Sequence, residues 1–135
     1  MVFRGISIKV DISNCDEEIQ KFWETTREIL GSKVKLKGLK YNRADNEVEY
    51  AIGFDNDSMP RNIKEQFKNS DIYSKLEYKV VLIPFKGWQK YNYKLEEREE
   101  LYKKLWKVGK ITFEIDKFKG DETYELLINR RKTKF

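Results

Sequence analysis

The chain has no histidine and a single cysteine, Cys15, among 135 residues. That excludes a Ser-His-Asp triad, a Cys-His dyad and an ordinary zinc site. Any acid–base chemistry is left to Glu, Asp, Tyr or Lys. One thiol cannot form an intrachain disulfide, which fits a reducing compartment. No apolar run approaches the ~20 residues that a membrane span needs. Residues 1–10 contain Arg4 and Lys9 and lack the apolar stretch of a signal peptide. These absences predict a cytoplasmic protein with no membrane contact, no metal and no cofactor.

What the chain has in quantity is charge, with 28 basic and 23 acidic residues and a net charge of +5. This reads as an ordinary solubilising surface with a mild preference for anions. No run matches the alternating Gly and aromatic pattern of RNA-binding sheets, so nucleic acid is not an expected partner without a separate DNA-binding protein. The length predicts one domain, or two closely merged halves, burying roughly two-thirds of the unfolded surface.

Residues 111–130 read as a hairpin. Two runs rich in β-branched and aromatic residues, 111–118 and 123–130, flank the turn signal Lys119-Gly120-Asp121. Side chains alternate along a strand, so Ile111, Phe113 and Ile115 share one face and Thr112, Glu114 and Asp116 the other. In the second run Tyr124, Leu126 and Ile128 lie opposite Thr123, Glu125, Leu127 and Asn129. Each strand thus offers an apolar face to a helix and carries one glutamate on the face turned away from it.

Upstream, Ile6, Ile8, Val10 and Ile12 alternate, which predicts a strand over 3–12. Ser13 and Asn14 offer caps for a helix over 16–30, with Asp16 and Glu17 placed as in a capping box and acidic residues suited to a helix N-terminus. Ile19, Phe22, Trp23, Ile29 and Leu30 recur at helical spacing, and Gly31 is a natural stop. Residues 34–41 and 47–54 form a second hairpin pattern. A short helix is expected over 60–69 and a strand buried on both faces over 78–85, with Pro84 at its end. Residues 87–94 read as an aromatic loop and 95–108 as a charged helix with Leu101, Tyr102, Leu105, Trp106 and Val108 as its apolar stripe. Residues 130–134 read as a frayed basic tail.

The order is strand, helix, hairpin, connector, then strand, helix, hairpin again, and EIQKFWETTREIL echoes ELYKKLWKV. The expected fold is α+β, a tandem βαββ repeat with pseudo-twofold symmetry, antiparallel sheets with helices on one side and a groove where the halves meet. One half spans about 1–56, a connector 57–76 and the second half 77–130. Such a join favours a ligand site.

The pattern resembles the GyrI-like small-molecule-binding domains, the effector-binding domains of certain AraC- and MerR-type bacterial regulators. The resemblance is carried by Lys86-Gly87 after a strand, the helix ELYKKLW, then Phe113-Glu114 and Tyr124-Glu125-Leu126. It implies a ligand groove in which a buried glutamate and aromatics engage a small molecule, often an amphipathic cation. Glu114 and Glu125 match the family's two recurring glutamates. No helix-turn-helix segment accompanies them, so a stand-alone domain is expected rather than a one-component transcription factor.

The expected ligand-binding residues are therefore Glu114 and Glu125, with Tyr50, Phe85, Trp88 and Tyr91 as aromatic lining. Strand parity alone leaves open which face of residues 78–85 or 50–54 lines the groove. Two carboxylates sharing a dry groove oppose joint ionisation, and a cation between aromatic faces relieves that repulsion. Trp23 and Trp106 lie on helix stripes and read as core. Tyr41 is within reach of the groove, and Cys15 reads as a passive thiol. Sensing or sequestering a small ligand is the leading expectation. Two alternatives stand beside it. One is a hydrolase of cyclopropane-type electrophiles using a groove Glu and Tyr. The other is a protein-interaction module of the gyrase-inhibitor type.

Overall fold

A computed structural model describes residues 2–31, 35–55, 65 and 77–131. Its strands are β1 (Val2–Asp11), β2 (Lys37–Tyr41), β3 (Glu47–Asp55), β4 (Glu77–Leu82), β5 (Gln89–Lys94), β6 (Phe113–Gly120) and β7 (Thr123–Asn129). The helices are α1 (Cys15–Leu30) and α2 (Arg98–Val108), each entered through a 3-10 turn. The connector expected at 57–76, with its helix at 60–69, lies outside the described residues except for residue 65.

The strands form one open antiparallel sheet in the order β4-β1-β3-β2-β6-β7-β5. A βαββ duplication is visible in that order, but its second unit begins at β5 and not at the strand expected over 78–85, which is β4 and pairs with β1. β1-α1-β2-β3 gives the neighbours β1-β3-β2, and β5-α2-β6-β7 gives β5-β7-β6. The two units meet where β2 pairs with β6, Lys40 opposite Glu114 and Gly38 opposite Asp116. A pseudo-twofold axis therefore passes between β2 and β6.

Both helices lie on one face of the sheet. Ile19 and Phe22 of α1 pack on Ile6, Val10, Val48, Tyr50 and Ile52 of β1 and β3. Leu105 of α2 packs on Tyr93, Leu126 and Ile128 of β5 and β7. Each fully buried side chain of this size stabilises by about 1.5–3 kcal/mol. Asp11 rather than Ser13 or Asn14 caps the entry to α1, its carboxylate accepting from the Ser13 amide at 2.9 Å. Gly31 ends α1 at φ 78°, its amide donating to the Arg27 carbonyl.

The opposite face is covered by the chain itself. β4 and β5 sit at the two edges, six strand spacings apart, or about 29 Å on a flat sheet at ~4.8 Å each. The seven-residue step from Leu82 to Gln89 reaches at most about 25 Å. The sheet must therefore curl around residues 83–88. Ile83 and Trp88 fill its inner side against Phe3, Leu39, Phe113 and Ile115. Asn129, fully buried, donates to the Lys86 carbonyl at 3.0 Å and fixes the crossing.

Several local expectations change. The strand expected at 78–85 stops at Leu82 and forms an edge, with Val80 and Leu82 largely exposed, so it is not buried on both faces. Pro84 lies just beyond its end. The aromatic loop is in part a strand, β5, whose Tyr91 and Tyr93 face α2 while Lys90, Asn92 and Lys94 face away. Arg130 is not frayed. Its guanidinium donates to the carbonyls of Leu105, at 2.6 Å, and Gly109, closing the C-terminal end of α2. Among the described residues no helix is long and apolar enough to cross a membrane.

Candidate functional site

α1 covers β1 and β3, and α2 covers β5 and β7, so the two central strands have no helix above them. Where these two strands pair, their helix-side residues are ionisable or lack a side chain. They are Gly38 and Lys40 from β2, Glu114 and Asp116 from β6, and they form the floor of a cleft between the helices. Tyr102 and Trp106 of α2 form one wall, and the start of α1 from Cys15 to Glu17 forms the other. The open part of the cleft is a pocket of about 420 Å³, within the roughly 300–1,000 Å³ usual for small-molecule sites.

Glu114 is only 2% exposed. Its Oε2 accepts from Arg43 Nη2 at 3.0 Å. Arg43 comes from the β2–β3 loop, and its guanidinium stacks on Trp106 with the carbon 4.6 Å from the ring centroid. Arg43 lines the pocket and Glu114 does not, so the guanidinium lies between the pocket and the carboxylate. Lys40, also buried, places its ammonium 5.4 Å from the centroid of Tyr102. Arg98 of α2 reaches Asp16 of α1 at 3.1 Å and ties the two helices across the cleft mouth.

Three buried oxygens here have no hydrogen-bond partner among the described residues: Glu114 Oε1, Asp116 Oδ1 and the Tyr102 hydroxyl. Burial raises the Asp116 pKa, with Lys40 opposing and the Glu114 charge adding to the rise. Burial likewise pushes the Tyr102 phenol well up, and the charges of Asp116 and Glu114 add to it. Burial pushes the Cys15 thiol up. Among the described residues no cluster of His, Cys, Asp or Glu is placed to hold a metal ion.

The six residues predicted from sequence fall in separate places. Glu114 is on the cleft floor. Glu125 is on the opposite face of the sheet, because its register partner is Lys117, two positions from Ile115 on the side away from the helices. It pairs with Lys119 at 2.7 Å and Lys90 at 3.2 Å, which hold its carboxyl below the usual range. The parity assigned to β6 is thus reversed. Phe113 and Ile115 turn to the crossing segment, and Glu114 turns to the helices.

Tyr50 is fully buried beneath α1, where its hydroxyl accepts from Trp23 Nε1 at 2.7 Å. Its ring reaches across β2, and a β-carbon at Gly38 would overlap the phenol oxygen. Phe85 is 79% exposed on the crossing segment. Trp88 packs on Phe113 on the helix-free face and donates to the Pro84 carbonyl. Tyr91 packs with the cluster under α2. Tyr41 is also on the helix-free face, its hydroxyl 2.6 Å from Ser7 Oγ.

The sequence reading missed Lys40, Arg43, Asp116 and the cleft role of Tyr102 and Trp106. Two signals were available. Asp116 shares Glu114's face by strand period, and Lys40 lies in line with the small Gly38 on the same strand face.

No protein-family profile matches the chain, and no curated protein sequence does. The structure is similar to that of SAV2435 bound to tetraphenylphosphonium, with a TM-score of 0.63 at 13% identity over 95% of this chain and 87% of that one. It is also similar to the integron cassette protein VCH_CASS2 from the mobile metagenome of Vibrio cholerae, with a TM-score of 0.58 at 14% identity over 97% of this chain and 90% of that one. At these identities the likeness is one of architecture, and the architecture is the GyrI-like fold that the sequence resemblance implies.

Proposed function

We propose that the protein binds a small amphipathic cation in the cleft between α1 and α2, sensing or sequestering it. Glu114 is the counter-ion and Trp106 and Tyr102 are the aromatic walls. The observation that carries this reading is that the cleft is built around a cation already. The Arg43 guanidinium is stacked on Trp106 and paired with Glu114. A ligand cation takes the seat of Arg43, keeps the cation–π contact and the carboxylate, and places its apolar body in the pocket. The neighbour bound to tetraphenylphosphonium supports an organic cation as the ligand class. In this reading Glu114 alone of the two predicted glutamates meets the ligand, and Glu125 anchors Lys90 and Lys119 on the far side of the sheet.

The reading is tested by thermal shift and calorimetry with a panel of aryl cations. A ligand at a hundred times its Kd stabilises the fold by about 2.7 kcal/mol. Glu114→Gln keeps the shape and removes the charge. It should weaken binding about tenfold or more, the worth of a charge-assisted hydrogen bond at ~1.5–3 kcal/mol. A panel in which no aryl cation shifts the transition, or in which Glu114→Gln binds as tightly as the parent, refutes the proposal.

A further inference from the structure

We propose that the cleft selects cations bearing N–H donors, such as arylamidinium and arylguanidinium ions, over quaternary onium ions of equal aromatic bulk. The inference rests on the cation-binding reading above and specifies the ligand class it takes. Its ground is the set of oxygens left without partners. Glu114 is 2% exposed, its Oε2 is met by Arg43, and its Oε1 has no partner among the described residues. Asp116 Oδ1 and the Tyr102 hydroxyl, both out of water beside it, are in the same condition. Two of these three are carboxylate oxygens, and ionised carboxylates only accept hydrogen bonds.

An ammonium with four carbon substituents has no hydrogen to give. It supplies charge but leaves every one of these acceptors as it found them. An amidinium has N–H groups on two nitrogens of one planar ion and matches both oxygens of a carboxylate side by side. Arg43 shows that the space between the Trp106 ring and the Glu114 carboxylate suits a planar cation. Its own guanidinium, tethered to the β2–β3 loop, reaches one Glu114 oxygen. A free ion has no tether and can turn to engage both. The second pairing, and a donor turned towards Asp116 or Tyr102, are gains that only an N–H cation collects. Each charged bond of this kind is worth about tenfold or more in affinity.

The experiment is calorimetric titration of the unmodified protein with three probes on one aromatic body: 4-amidiniobiphenyl, trimethyl(4-biphenylyl)ammonium and neutral biphenyl-4-carboxamide. The amidinium should bind at least tenfold more tightly than the quaternary ion, and the quaternary ion more tightly than the carboxamide. The gap between the two cations should shrink in Glu114→Gln. If the quaternary ion binds as tightly as the amidinium or more so, and both exceed the carboxamide, the donor selectivity is overturned while the cation-binding reading stands. If neither cation exceeds the carboxamide, the cation-binding reading falls and takes this inference with it. The comparison of probes on the unmodified chain does not depend on the variant folding.

Discussion

Arg43 joins the cleft floor to its wall, paired with Glu114 and stacked on Trp106. It pairs with a carboxylate that is 2% exposed, while its own side chain is 24% exposed. Removing one partner of a buried pair costs about 3–5 kcal/mol when both are dry. With Arg43 partly in water, solvent takes up some of that loss, and Arg43→Ala should destabilise the free protein by roughly 1–3 kcal/mol in urea unfolding. The same change vacates the seat and leaves Glu114 without its cation. Calorimetry should then show an aryl cation binding about tenfold more tightly to Arg43→Ala than to the parent. Unchanged or weaker binding would place the ligand somewhere other than beside Glu114. Stability and affinity are thus predicted to move in opposite directions, which a merely structural role for Arg43 does not produce.

At the scale of elements, α2 depends on a residue beyond the last strand. The last carbonyls of a helix lack partners within it, and cations are favoured there. Arg130 supplies both donor and charge to Leu105 and Gly109. Arg130→Ala should cost about 1.5–3 kcal/mol, with hydrogen exchange speeding first in the final turn of α2. Protection unchanged in that turn would show that Arg130 does not hold it. The sequence made the helices and hairpins legible through their periods, and Tyr124, Leu126 and Ile128 face α2 as alternation implies. Alternation failed on β6 for a physical reason. Period tells which side chains share a face, not which face a distant segment will cover. Phe113 and Ile115 went to the side closed by residues 83–88, whose path follows from the order of strands and not from any local pattern. β5 was hidden because its outward Lys90, Asn92 and Lys94 make an edge strand look like a loop. Its alternating Tyr91 and Tyr93 were the signal of a strand. The family resemblance singles out Glu114, which lies buried on the cleft floor. Arg43 was not legible, since a loop arginine carries no mark of the carboxylate it will meet across 71 residues.

At the scale of the molecule, duplication creates the cleft. Two βαββ units side by side place a helix over each outer strand pair and none over the joining strands, so the seam is a cleft with a polar floor. Binding beside Glu114 requires that a ligand enter that cleft and not the helix-free face, where Trp88, Phe113 and Leu127 pack with the crossing segment. The most direct test is the nuclear Overhauser contact map of a bound aryl cation. Contacts are expected from its ring protons to Trp106 and Tyr102, with the Trp106 indole signal shifting as Arg43 leaves the ring. Contacts to Trp88, Phe113 and Leu127 in their place would contradict it.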